Sequence, residues 1–276
     1  MSIYFKASDH SYKSIDDDIT WTSVTTLLSN FKKHFDAEKV AQKVSKNKKS
    51  KWYGLDPKEI QEIWTNEAKR ATDLGTFYHN ERETDLCALS SMEREGVTIP
   101  VFPPEEINVN GVKFAPSQKL ESGIYPEHMV YLKSAGICGQ SDLVEVVNGK
   151  VNIIDYKTNK EIKKESYVDW EGKSEKMMAP LDTLDDCNLN HYALQLSIYM
   201  YIILKHNPKL RPGHIFIHHI TFEVEAEDKW GYPIAKKDEQ GNPIVKEVIP
   251  IPVPYLVDEV IALLHYIKEN PIKPKK

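Results

Sequence analysis

Between Gly139 and Lys160 the chain reads GQSDLVEVVNGKVNIIDYKTNK, with Asp142 and Asp155 flanking β-branched runs and Lys157 two residues past the second acid. An Asn-Gly pair between such runs is a strong hairpin signal, because a type I′ turn needs positive φ at both central residues. Counting outward from Asn148 and Gly149 sets Val147 opposite Lys150 and brings Asp142 opposite Asp155. Period-two alternation then places Val144, Val146, Val151 and Ile153 on the face of both aspartates, with Lys157 one step beyond. Opposed carboxylates repel, and charge on an apolar face is costly unless it is neutralised. A divalent cation shared by the two acids removes that cost, and oxygen donors suit Mg²⁺ or Mn²⁺. The plainer alternative is a solvated Asp–Lys–Asp ion-pair cluster at an exposed sheet end, and a bulge would shift the register by one residue.

The elements that must hold these groups can be read from periodicity. IYFKASDHSYKS suggests a short hairpin, and in WTSVTTLLSNF Thr22 or Ser23 can cap a helix running toward Phe31. From Pro57 to about Leu89 the apolar spacing is helical, and Pro100, Pro103 and Pro104 mark a break. Three strands are expected in GIYPEHMVYL, GQSDLVEVV and KVNIIDYKT. The polar stretch 161–185 reads as a mobile insertion. LNHYALQLSIYMYIILKH is apolar almost all round and predicts a buried helix. HIFIHHITFEV reads as a strand, EVIPIPVP as an edge strand limited by its prolines, and YLVDEVIALLHYIKE as a final amphipathic helix. The expected fold is α/β, a central mixed sheet flanked by helices. A mainly helical N-terminal region (1–115) precedes a core (116–276), the two forming one compact unit.

Composition bounds the class. A chain of 276 residues with 41% hydrophobic and 28% charged residues reads as an ordinary soluble globular protein. No apolar run reaches the roughly 18 residues of a membrane span, and the first residues lack a signal peptide's apolar core. Cys87, Cys138 and Cys187 have no metal-type spacing and suit a reducing, cytoplasmic setting. The formal charge of −5 does not advertise a polyanion binder. The run KVSKNKKSKW (Lys43–Trp52) could still form a basic, aromatic arm, or simply a solvated loop.

At GQSD followed by IIDYKT the sequence resembles the PD-(D/E)XK nuclease superfamily, and within it the RecB-type exonuclease branch, which includes phage-type and mitochondrial genome-maintenance exonucleases. The likeness takes in LGTFYHNERE, YPEHMVY and HYALQLSIYMY, roughly Leu74 to Leu204; Ser141 stands where the family name has proline. It implies a restriction-endonuclease-like core and a metal-dependent DNA nuclease, exonucleolytic or directed to single strands and flaps. Asp142 and Asp155 would bind Mg²⁺ or Mn²⁺, as a two-ion site, with the Tyr156 carbonyl beside Asp155. Lys157 would orient or activate water and neutralise the scissile phosphate, Glu127 would serve a second metal or its water shell, and His79 would add a ligand suited to Mn²⁺. Gln195 and Tyr199 would line the DNA side; Lys160, in a lysine group beside the site, is read from the residues themselves as a DNA contact. Four cluster-binding cysteines are lacking, so no iron–sulfur cluster is expected. A phage or bacterial replication or recombination setting is implied as well.

The residues themselves leave alternatives open. A lone helical histidine is more often structural than a ligand, and His191, Gln195 and Tyr199 could form an internal hydrogen-bond network. His214, His218 and His219 read as structural or surface groups. A non-catalytic nucleic-acid-binding protein on the same scaffold and an RNA-directed nuclease remain the rival functions.

Overall fold

The structure, a computed structural model, describes residues 3–6, 11–14, 19–104 and 112–271. In chain order the elements are β1 (Ile3–Lys6), β2 (Ser11–Ser14), β3 (Thr22–Ser23), α1 (Val24–Ser29), α2 (Ala37–Lys46), α3 (Pro57–Cys87), β4 (Ser91–Arg94) and β5 (Val97–Pro100). Then come β6 (Val112–Phe114), β7 (Gly123–Leu132), β8 (Ile137–Val147), β9 (Lys150–Lys157), α4 (Asn188–His206), β10 (Arg211–Phe222), β11 (Val224–Glu227), β12 (Pro233–Ala235), β13 (Val245–Pro252) and α5 (Val257–Glu269).

The protein is a mixed α/β fold built on a six-stranded sheet, ordered β13-β10-β9-β8-β3 with β7 added to β8. The Asn-Gly turn forms as its chemistry predicts, with φ of 51° at Asn148 and 74° at Gly149. Its register runs from Val147 opposite Lys150 to Leu143 opposite Ile154. Strands β9 and β10 are parallel, so the chain must cross over between them, and α4 makes that crossing. At the sheet edge β13 carries Pro250 and Pro252, which cannot donate to a further strand.

Two apolar layers sandwich the sheet. Val144, Val146, Val151 and Ile153 pack beneath α4, α1 and α5. The alternate residues Leu143, Val147, Ile154 and Tyr156 face Tyr78 and Leu86 of α3 and Ile99 of β5. Helix α4 is buried on most sides, as its composition requires. Helix α3 is instead largely exposed, with Ile60, Tyr78 and Leu86 as its buried residues, so its position depends on few anchors. Its start is fixed by Asp56, whose carboxylate accepts from the Lys58 amide at 2.7 Å, and by Pro57.

Two expectations need correction. The stretch 161–185 is anchored rather than a loose insertion. Ile162, Met177 and Leu181 enter the main core, and the Met178 amide donates to the Phe31 carbonyl. Trp52 is likewise no part of a free arm. It is buried against Ile60, meets the tilted ring of Trp230 with centroids 5.3 Å apart, and carries the Lys51 ammonium over its ring. A hairpin that periodicity did not suggest, β4–β5, turns on Glu95 and Gly96, both at positive φ. No described helix is long and apolar enough to cross a membrane.

Candidate active site

The site lies where the central sheet splits. Strand β7 pairs with β8 along Ile137–Val146, so β3 and β9 must share the other side of β8. There β3 reaches Cys138, and β9 stays paired only up to Leu143. Between those limits Gly139–Asp142 face no described strand on that side, while β9 continues on β10 through Lys157. The Tyr156 amide, which an unbroken ladder would give to a β8 carbonyl, donates instead to Asp142 Oδ2 at 2.7 Å. The carboxylate thus ends the ladder and holds the two strands at the fork.

A cavity of about 610 Å³ opens at this fork. His79 comes from α3, which approaches closely at Gly75: a Cβ there would sit 3.2 Å from Thr158 Oγ1. His79 Nδ1 lies 3.5 Å from Asp142 Oδ1 and 3.8 Å from Glu127 Oε1, and Nε2 lies 3.2 Å from the Tyr156 carbonyl. Glu127 falls between Pro126, opposite Leu143, and His128, opposite Ser141, so it stands level with Asp142. Its φ of 47° is left-handed, a conformation that costs a non-glycine residue about 1–2 kcal/mol. The kink re-aims the side chain, and Gln140 Nε2 holds it with a 2.8 Å hydrogen bond. Strain concentrated at one acid among others is an outlier that points toward function.

Electrostatics report the same crowding. Burial lifts the Asp142 carboxyl to about 8, helped by the charge of Asp155 and opposed by His79 and Lys157. At His79 burial works against protonation. The Glu127 contact and the charges of Asp142 and Glu127 outweigh it, raising the imidazole to about 9. Asp155 is buried and ion-paired with Lys157. Burial would lower Lys157, but Asp155 and Asp142 hold it above the ordinary lysine value, so it remains an ammonium. That ammonium sits 4.9 Å from the centre of the Tyr192 ring.

The candidate residues therefore divide. Ligand atoms of His79, Glu127 and Asp142 lie within 4.8 Å of one another, which among the described residues is the one such group. Two carboxylates, an imidazole and the nearby Tyr156 carbonyl form a hard O/N donor set that fits Mg²⁺ or Mn²⁺. Asp155 is close enough to raise Asp142 but stands outside that group, its carboxylate engaged by Lys157. Gln195 and Tyr199 both line the cavity and bond to each other at 3.2 Å. Tyr199 is buried against Gly139, where a Cβ would come within 2.6 Å of its ring, so Gln195 is the more accessible of the two. Lys160 points elsewhere, donating to the Gly231 carbonyl at 3.3 Å. His191 bonds Asp186 and His219 bonds the Asn159 carbonyl, both structural contacts.

Gln140 and Tyr192 escaped the sequence reading. Gln140 precedes Asp142 by two residues and shares its face, a signal that alternation could have supplied. Tyr192 sits one turn before Gln195 on the polar stripe of α4. Neither a scan against protein-family models nor a search of curated proteins finds a match.

Proposed function

We propose that this protein is a metal-dependent deoxyribonuclease of the RecB-type PD-(D/E)XK kind, cutting phosphodiester bonds at DNA ends or in unpaired strands. One observation carries the reading: the carboxylates of Glu127 and Asp142 converge with His79 at the fork of the sheet, beside the Lys157 ammonium. A bound Mg²⁺ or Mn²⁺ would supply Lewis-acid stabilisation of the phosphate oxygens and a more acidic water.

The chain's own residues supply the rest. His79, Glu127, Asp142 and the Tyr156 carbonyl would hold the ion, while the Asp155 carboxylate is engaged by Lys157. Asp142 accepts the Tyr156 amide with one oxygen and presents the other toward His79. Lys157, kept charged by its two acids, neutralises phosphate charge and orients water rather than abstracting a proton. Gln195 offers an amide from the neighbouring wall. Membership of the branch and a replication or recombination setting rest on the sequence resemblance alone.

The test is digestion of end-labelled single-stranded, duplex and flap DNA with Mn²⁺, Mg²⁺ or chelator, alongside Lys157→Ala. Cleavage that needs the ion and falls in the variant is expected; cleavage indifferent to both would overturn the reading. Closed single-stranded circles distinguish the modes, since a strict exonuclease leaves them intact.

A further inference from the structure

The lining of the 610 Å³ cavity is not uniform. His79, Glu127 and Lys157 answer to a phosphodiester, yet the same cavity is lined by Phe5 and Tyr12. These two are direct partners across β1 and β2, with ring centroids 4.9 Å apart and planes at 45°. Through Ile3 of β1 the strand pair is seated on Trp21, Met129 and Cys138, so the rings are presented by a packed support. Both stay half-buried rather than sealed in that cluster. Burial, with Glu127 nearby, raises the Tyr12 hydroxyl. Aromatic faces beside a cation-binding phosphate site match the two halves of one ligand, a phosphate and the base it carries. The cavity falls in the size range of small-ligand pockets, about 300–1,000 Å³, room enough for a nucleotide unit.

We propose that Phe5 and Tyr12 form the stacking surface for the nucleobase adjoining the scissile phosphate, so that the site takes an unpaired DNA strand. This deepens the nuclease reading above and rests on it for the position of the phosphate. Aromatic stacking on a base accounts for about 5- to 150-fold in affinity or kcat/KM.

The experiment uses end-labelled single-stranded DNA with one abasic residue, digested with Mn²⁺ and mapped phosphate by phosphate. The native chain should cut beside the abasic residue about 5- to 150-fold more slowly than at the same phosphate of ordinary DNA. The Phe5→Leu/Tyr12→Leu protein, which keeps apolar bulk without rings, should lose a similar factor on ordinary DNA and become indifferent to the missing base. Undiminished cutting beside the abasic residue by the native chain overturns the stacking surface and leaves the nuclease standing. That arm needs no variant, so a misfolded double mutant does not blunt it. A strand carrying 2-aminopurine, titrated in EDTA, gives a second readout. A fluorescence change that requires the two rings, without Mn²⁺-dependent cleavage, supports the stacking surface and removes the nuclease. A strand neither bound nor cut removes both.

Discussion

The two ends of the β8–β9 hairpin are built from adjacent residues and do opposite things. At the turn end Val146 opposes Val151 and Val144 opposes Ile153, fully buried apolar pairs in a closed ladder. A few residues on, Asp142 and Asp155 occupy the same face, the ladder opens, and a main-chain amide bonds a carboxylate instead of a strand. The closed end supplies stability through burial. The open end gives some of it back in buried charge and a strained glutamate. The contrast teaches that one continuous pattern of alternation can carry a core and a reactive centre, provided that the two strands part at the boundary.

The sharpest way to break the comparison is to alter each end and measure both properties. Asp142→Asn should reduce Mn²⁺-dependent cleavage by more than the roughly 10–100-fold that losing a mere supporter of a metal ligand costs. The fold should persist, because the asparagine Oδ1 can still accept from the Tyr156 amide. Ile153→Ala should behave inversely, lowering unfolding free energy by about 2–5 kcal/mol in urea titrations while the remaining folded fraction keeps its metal dependence. If Asp142→Asn unfolds the chain and leaves folded-state cleavage intact, the division between the ends is wrong.

Acidity sharpens the same contrast. His79 near 9 and Asp142 near 8 are both raised above their unfolded values of 6.5 and 3.8. The stability each contributes to the ion-free protein is full below its unfolded value and is lost as pH rises through its folded one. An ion must displace those protons, so Mn²⁺ should raise the melting temperature more at pH 8.5 than at pH 6, as ligand linkage requires. In Asp142→Asn that difference should shrink. An equal Mn²⁺ shift at both pH values would contradict the proton-loaded site.

The smallest effect is expected at Glu127. Replacement by glycine relieves the left-handed strain and should leave the ion-free fold unchanged or up to about 1 kcal/mol more stable. Mn²⁺ binding, followed by calorimetry, should weaken. A variant that loses stability and retains its ion affinity would assign Glu127 to the closed end's role.

Much of the closed end was legible because its signals are local. Asn148-Gly149 selects a turn, and the turn sets the register as far as Leu143 opposite Ile154. The opening is not local. It depends on β3 ending at Cys138 and on β10 drawing β9 aside, contacts that no short window contains. Glu127 could be named from its motif, but its φ follows from the break in pairing beside it. Asp155 illustrates the limit most clearly: counting sets it opposite Asp142, but the pairing ends at Leu143 and Ile154, and its engagement with Lys157 is a choice among side-chain conformers. Trp52 read as part of a basic arm because its partner, Trp230, arrives from a distant hairpin.

That distant hairpin carries a consequence of its own. Lys51 donates to the Trp230 carbonyl at 2.6 Å and Lys160 reaches the Gly231 carbonyl, while Arg70 of α3 lies over the Tyr232 ring and Ile63 and Trp64 share an apolar cluster with Trp230 and Tyr232, so the β11–β12 turn braces α3. The imidazole is therefore kept on station by a turn that never touches it. Trimming residues 224–235 from the protein should loosen the helix that carries His79, although they look like surplus trim.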